Sequence, residues 1–176
     1  SATDMRASRS ITSGPTVFFI LSQDALMIRI EKHISHADHI DTTLSLPIER
    51  RIKSRIKVVL DNGEDAGLFL TRGQILRDGD LLQSTKGLII QVRAAQETVS
   101  TVYADDALAL TRAAYHLGNR HVPLQIAIGL VRYQHDHVLD DMIKGLGLHV
   151  TVEQAPFEPE AGAYINIGGG HSHSHD

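Results

Sequence analysis

The chain has 176 residues, enough for one medium domain or two small ones, and its hydrophobic content of 42 % is sufficient for a packed core. It contains no cysteine, which excludes disulfide scaffolds, thiolate zinc fingers and cysteine nucleophiles. The net charge of −4 argues against a general nucleic-acid binder, and no apolar run approaches the roughly 18 residues that a membrane span needs.

The first 26 residues differ in character from the rest of the chain. Residues 1–15 are polar and small, and the apolar stretch at 17–21 is short for a secretory core and has no convincing cleavage site after it. We therefore expect residues 1–26 to be a disordered extension and Met27 to be the functional start. An ordered extra strand over residues 16–21 is the alternative.

Short apolar segments separated by turn residues fill residues 27–95, which predicts an N-terminal all-β domain, a small sandwich or barrel. Asn62-Gly63 is a strong hairpin signal, because both residues accept the positive φ angles of a tight primed turn. The predicted strands are 27–33, 56–60, 66–70, 81–82 and 88–92.

The period of the pattern changes in residues 96–157. Leu108, Ala113 and Leu117 share a helical spacing, and Gly118-Asn119 is a helix stop. A second helix is predicted over 137–146, ending at Gly147. With strands at 97–103, 122–128, 130–133 and 149–152, the order βαββαβ is that of a ferredoxin-like domain, so the fold class is α+β.

Residues 158–176 have too few apolar side chains to pack and are expected to form a flexible tail. The histidines His171, His173 and His175 alternate there, so an extended segment points three imidazoles the same way. Without thiolates, a metal must be held by imidazole, carboxylate or backbone oxygen, which suit nickel, copper(II) or zinc. The tail is therefore a candidate metal site; a purification tag is the alternative.

Two further groups of histidines are candidates in residues 96–157. His135 and His137 flank Asp136 at the start of the second predicted helix and could bind a metal together. In the alternative interpretation, Asp136 caps that helix and the two histidines are idle. His121 follows the first predicted helix, and a lone histidine in such a place says little by itself.

The sequence shows little sign of an enzyme. It has no nucleophile elbow, no phosphate-binding glycine loop and no His-Glu-x-x-His motif. A catalytic zinc site made of His121, His135 and His137 would need an open coordination position beside a general base, and no such base can be identified. We therefore expect that the protein is not an enzyme and keep a metal-dependent hydrolase as a weak alternative.

Several segments, taken together and in order, resemble the UreE family of urease accessory proteins. The most specific are Gly118-Asn119-Arg120-His121, with the residues around it, and the run that begins at His135-Asp136-His137. The resemblance extends from about Met27 to Tyr164, and the extension before Met27 departs from the family pattern. The full set of matching segments is 53–58, 76–82, 117–125, 135–142 and 155–164.

The resemblance implies a nickel-binding metallochaperone that delivers Ni(II) during assembly of the urease active site, in the cytoplasm. It implies an N-terminal β domain that binds partners and a ferredoxin-like domain that forms a homodimer. His121 would bind metal at the dimer interface, while His135 and His137 match a pair found in some members. The implied partners are a urease accessory GTPase and the complex of urease apoprotein with its accessory proteins, with no nucleic acid and no membrane.

The same sites could hold Zn(II) or Cu(II). Some family members have many histidines in the tail, and this chain has three, so a passive nickel buffer is a weaker alternative to a carrier. A dimer also has a physical reason. One His121 offers too few donors for tight binding, whereas two-fold symmetry brings two copies together, and flexible tails can complete the coordination.

Overall fold

The computed structural model describes residues 27–163. The predicted extension over residues 1–26 and the tail histidines His171, His173 and His175 lie outside the described residues. Between these limits the chain forms two sheets in succession, which confirms the predicted α+β class with an N-terminal β domain followed by a smaller α+β domain.

The first sheet has six strands in the order β2-β6-β5-β1-β4-β3. Its pairing is mixed, since β1 runs parallel to β4 and β2 parallel to β6. The sequence-based prediction placed no helix or strand between residues 34 and 55, so it missed β2 and the single-turn helix α1. The elements are β1 Ile28–Ile34, β2 Thr42–Leu46, α1 Ile48–Arg51, β3 Arg55–Val59, β4 Asp65–Phe69, β5 Leu81–Ser84 and β6 Ile89–Ala94.

This sheet curls until its two edge strands meet. Asp61 lies two residues beyond the end of β3, and its backbone N–H donates to the Thr43 carbonyl of β2 at 2.9 Å. The Asp61 carboxylate also accepts from the hydroxyl of Ser45, with 2.8 Å between the oxygens. One buried cluster inside the curl draws on all six strands, so the barrel-like alternative is the one that forms. Its strand members include Ile30, Leu44, Val58, Leu68, Leu82 and Ile90.

The hairpin between β3 and β4 forms where the sequence predicted it, but its turn is of another type. Gly63 has a φ of 90°, whereas Asn62 does not have a positive φ. The Gly63 N–H donates to the Leu60 carbonyl at 2.8 Å, and the Leu60 N–H donates to Glu64. The loop therefore has three residues and ends on a left-handed glycine, the second most common hairpin solution, and the predicted primed turn is wrong.

The second sheet confirms the predicted βαββαβ order. Its strands lie in the order β10-β7-β9-β8 and every neighbouring pair is antiparallel, as in a ferredoxin-like domain. The core lies between this sheet and its helices, around Leu117, Tyr133 and Ile143. The elements are β7 Gln96–Tyr103, α2 Ala107–Gly118, β8 Gln125–Ala127, β9 Leu130–Gln134, α3 His137–Gly145 and β10 Thr151–Pro156.

Two predicted strand boundaries are wrong for identifiable reasons. The strand predicted over 122–128 begins only at Gln125, because Val122 and Leu124 pack into the helix–sheet core. The strand predicted over 149–152 is displaced to Thr151–Pro156, because it follows the register of β7, in which Pro156 lies opposite Gln96. In both places tertiary contacts override the local apolar pattern.

The two sheets share a small third core at their junction. Ile48 of α1 packs there with Val99, Ala155 and Phe157. Arg51 is fully buried and donates to the carbonyls of Leu46 and Leu76 at 3.0 and 3.1 Å. Its guanidinium also donates to the Phe157 carbonyl and the Glu158 carboxylate, which satisfies its charge and joins the first sheet to the end of the second.

The helices in the described range are short. The longest is α2, with 12 residues. None of the helices between residues 27 and 163 is long and apolar enough to cross a membrane.

Candidate metal-binding site

His121 occupies a left-handed backbone position just beyond α2. Its φ is 57°, and among residues 27–163 it is the one non-glycine residue with a positive φ. The Val122 N–H donates to the Leu117 carbonyl at 3.4 Å, and the His121 N–H to the Gly118 carbonyl at 2.9 Å. These two bonds form the Schellman motif that ends many helices, with His121 in the position where glycine is usual.

At the end of α3, the position that corresponds to His121 is occupied by glycine. Gly147 has a φ of 83°, and its N–H donates to the Lys144 carbonyl at 2.9 Å. The Leu148 N–H donates to the Ile143 carbonyl at 3.4 Å, which repeats the α2 motif. The two helices thus end in the same way, once with glycine and once with His121. An L-residue costs about 1–2 kcal/mol in this conformation, so the backbone holds an exposed imidazole there at a cost.

The helix stop predicted at Gly118-Asn119 is correct in place, since α2 ends at Gly118. Neither of those residues has a positive φ, so His121 is the residue that reverses the chain. The end of a helix carries a partial negative charge from its unpaired carbonyl oxygens. A cation bound by His121 would lie close to that negative end.

Asp136 caps α3, as one of the two interpretations of the His135–His137 segment predicted. Its carboxylate accepts the N–H groups of Val138 and Leu139, at 2.8 and 3.1 Å. The hydrogen bond from Leu139, with a smaller contribution from Val138 and the neighbouring histidines, lowers the pKa of Asp136. His137 is the first residue of α3 and is exposed.

His135 is held by neighbours that sequence analysis missed. Its Nδ1 lies 3.1 Å from the Asp140 carboxylate and 3.0 Å from the Ser100 hydroxyl. The other Asp140 oxygen accepts from the Tyr133 hydroxyl at 2.6 Å. Burial, followed by the hydrogen bond to Asp140, raises the pKa of Tyr133. One signal could have revealed Asp140: a carboxylate three residues before Ile143 lies on the buried face of the helix.

The fold places the candidate histidines at the same end of the second sheet. Gln125, at the start of β8, pairs with Arg132 near the end of β9. His121 precedes β8 and His135 follows β9, so both leave the sheet at this end. Within residues 27–163 of one chain, however, no group of three or more histidine, aspartate or glutamate side chains could hold a metal ion.

The chain also returns to this end after β10. The Glu160 N–H donates to the Leu124 carbonyl at 2.7 Å, and the Ala163 N–H to the Glu160 carbonyl at 3.1 Å. The last described residues therefore lie close to the segment that begins at His121. The tail histidines themselves lie outside the described residues.

These residues define a two-domain α+β protein whose candidate ligands lie on the surface at one end of a ferredoxin-like domain. Family models identify it further. The N-terminal domain of the UreE urease accessory protein matches residues 27–95, and the C-terminal domain of the same protein matches residues 97–176. The chain belongs to the UreE family of urease accessory proteins.

Individual relatives agree with this assignment. The urease accessory protein UreE of Alkalilimnicola ehrlichii is 59 % identical over 138 residues, which are 78 % of this chain and 85 % of the relative. That of Alcanivorax borkumensis is 64 % identical over 135 residues, 74 % of this chain and 76 % of the relative. These relatives are accessory proteins, which agrees with the prediction that the chain is not an enzyme.

Proposed function

We propose that this protein is a nickel-binding metallochaperone that delivers Ni(II) while the urease active site is assembled in the cytoplasm. The observation that carries the proposal is the exposed His121, held in a left-handed position at a helix end, in a member of the urease accessory family. Imidazole suits Ni(II), and the same donors would accept Zn(II) or Cu(II).

The site needs a second chain. One His121 supplies a single nitrogen, and residues 27–163 of one chain assemble no set of three ligands. A homodimer through residues 96–157 would place two copies of His121 beside a two-fold axis. Exposed apolar side chains on α2, in β8 and just after β8 support such an interface, because large side chains in these places are otherwise left in water. They are Leu108, Tyr115, Ile126 and Ile128, which are between 51 % and 105 % exposed.

The tail can supply further ligands. Ala163 lies close to the His121 segment, and His171 is eight positions further along the chain, a span of at most about 28 Å if extended. His171, His173 and His175 would complete a coordination sphere begun by the two copies of His121. Because a glycine-rich segment tethers these histidines, a metal ligand of the receiving protein can replace them one at a time. A carrier of this kind binds nickel tightly and can still release it.

His135 and His137 form a second candidate group at the same end of the sheet. The partners that would receive the metal are a urease accessory GTPase and the complex of urease apoprotein with its accessory proteins. The curled first sheet is the proposed surface for binding them. We assign no role to nucleic acid or membranes.

Titration with nickel, followed by mass measurement of the intact assembly, tests this function. We expect a dimer of about twice the chain mass by light scattering without metal, and a first nickel ion shared by that dimer. A chain that stays monomeric with nickel would exclude the shared site. Nickel that binds but never reaches the accessory GTPase would instead identify a passive nickel buffer, and turnover of generic esters or phosphoesters would identify a hydrolase.

A further inference from the structure

The two nitrogens of the His135 ring have different surroundings. Nδ1 faces a compact polar group on the helix side of the second sheet, made of Ser100, Tyr133 and Asp140. Ser100 and Tyr133 are fully buried, and the Asp140 side chain is only 6 % exposed. The His135 side chain is 37 % exposed, and its hydrogen bond and ion pair within residues 27–163 both involve Nδ1 and leave Nε2 unused.

The contacts of Asp140 determine which nitrogen of His135 carries hydrogen. One carboxylate oxygen already accepts the Tyr133 hydroxyl at 2.6 Å. The other lies 3.1 Å from Nδ1, and an ionised carboxylate can only accept. A bare Nδ1 would oppose its lone pair to that oxygen, whereas a protonated Nδ1 is attracted to it. The Ser100 hydroxyl, 3.0 Å from the same nitrogen, can either donate or accept and so suits both tautomers. In the neutral imidazole the proton is then on Nδ1, and Nε2 carries the lone pair.

We propose that Asp140 is a positioning residue that holds His135 as the Nδ1–H tautomer and so presents Nε2 of His135 to nickel. The inference rests on the proposed function, in which nickel is the cargo and His135 is one of its candidate ligands. Tyr133 acts one step further back, because its hydrogen bond fixes the plane of the carboxylate. Metal-binding histidines commonly have such a carboxylate partner, which fixes the ring and makes the ligating nitrogen more basic.

His137 provides the internal contrast. It is exposed at the first position of α3 and takes no part in the Asp140 group. Neutral imidazole in water prefers its proton on Nε2, so His137 should show that tautomer or a mixture. In the His-Asp-His pair, the ring of His135 is therefore already held in the orientation and tautomer that bind metal. The ring of His137 must adopt them when the metal binds.

The tautomer can be measured directly in the full-length protein without metal. Two-bond ¹H–¹⁵N correlation spectra of ¹⁵N-labelled protein at neutral pH distinguish protonated from unprotonated ring nitrogens. We expect an unprotonated Nε2 for His135, and the opposite or mixed pattern for His137. A protonated Nε2 and a bare Nδ1 at His135 would overturn the proposal, and this measurement needs no variant.

Asp140→Asn tests the consequence for binding, with Asp141→Asn as the matched control, since Asp141 is the next residue and is exposed. The nickel-binding step that disappears in His135→Ala should weaken about 10- to 100-fold in Asp140→Asn and stay unchanged in Asp141→Asn. Equal affinity in Asp140→Asn and the wild type would overturn the positioning role. If His135→Ala removes no step while the tautomer is as expected, the metal assignment of His135 fails instead, and the proposed role of Asp140 in nickel binding fails with it.

Discussion

Two helix ends carry the candidate ligands of the second domain, and they differ in charge and in backbone. His121 lies beyond the carboxyl end of α2, where unpaired carbonyl oxygens favour a cation. His135 and His137 lie at the amino end of α3, where unpaired N–H groups oppose one. The helix dipole alone therefore favours metal at His121, by about 0.3–1 kcal/mol for an exposed site.

The α3 end offsets this disadvantage with carboxylates. Asp136 caps the helix, and Asp140 contacts His135 from the buried side. The α2 end instead holds His121 in a backbone conformation that glycine would adopt with less strain. The two helix ends would therefore favour a bound cation in different ways. At the end of α2 the partial negative charge of the helix attracts the cation, and the left-handed backbone of His121 is the cost. At the start of α3 the partial positive charge repels the cation, and acidic side chains offset that repulsion.

Replacing His121 should have the largest effect. His121→Ala removes two donors at once from the proposed symmetric dimer, so the tightest nickel affinity should fall by more than the 10- to 100-fold that loss of a supporting partner costs. Fold and dimer should be retained, because the side chain is exposed. Urease activation at limiting nickel, measured beside His135→Ala and His137→Ala, decides the ranking. Wild-type activation by a dimeric His121→Ala protein would move the principal site to the α3 end or the tail.

Deletion of residues 168–176 should have the next largest effect. The tail histidines would be lost while both helix ends remain, so nickel stoichiometry should fall but at least one ion per dimer should stay bound. Native mass measurement of the truncated dimer gives the count directly. Loss of all nickel would show that neither helix end binds metal without the tail.

His121→Gly should separate the backbone cost from the metal site. Glycine relieves the left-handed strain, so the free energy of unfolding should rise by about 1 kcal/mol, which for a chain of this size raises Tm by about 2–4 °C. His121→Ala is the matched control, because alanine loses the imidazole but keeps the Cβ. Both variants should lose nickel equally, and thermal unfolding of the metal-free proteins should rank glycine above alanine. Equal stability would mean that His121 bears no backbone strain.

The smallest expected effect concerns the cap of α3. The pKa of Asp136 is lower in the folded protein than the ordinary value of 3.8. Its carboxylate therefore contributes its full stabilisation above that ordinary pKa. The stabilisation is lost as the pH falls through the lower pKa of the folded state. Carbon-13 NMR titration of the Asp136 carboxyl should give this lowered folded-state pKa. Faster hydrogen exchange at Val138 and Leu139 should follow the same protonation. Asp136→Asn should leave their exchange without this acid-dependent step.

The sequence by itself determined the order of elements in the second domain and the places where its helices end. Alternating and helical apolar spacings are local, so β7, α2, β9 and α3 could be predicted within a few residues. It also marked His121, His135 and His137 as candidates. It did not predict the parallel pairing of β1 with β4 or the closure of the first sheet through Asp61, because pairings between distant strands leave no local pattern.

Only the tertiary structure decided what surrounds each candidate histidine. The left-handed backbone of His121 follows from the Schellman bonds of α2, and the sequence pointed instead to Gly118 and Asn119 as the residues that end the helix. Asp140 and Ser100 meet His135, and Tyr133 meets Asp140, because α3 folds back over β7 and β9, which brings together residues up to 35 positions apart. Ligand types can be read from a sequence, whereas the charge, hydrogen bonds and backbone strain at a ligand depend on segments that only folding brings into contact.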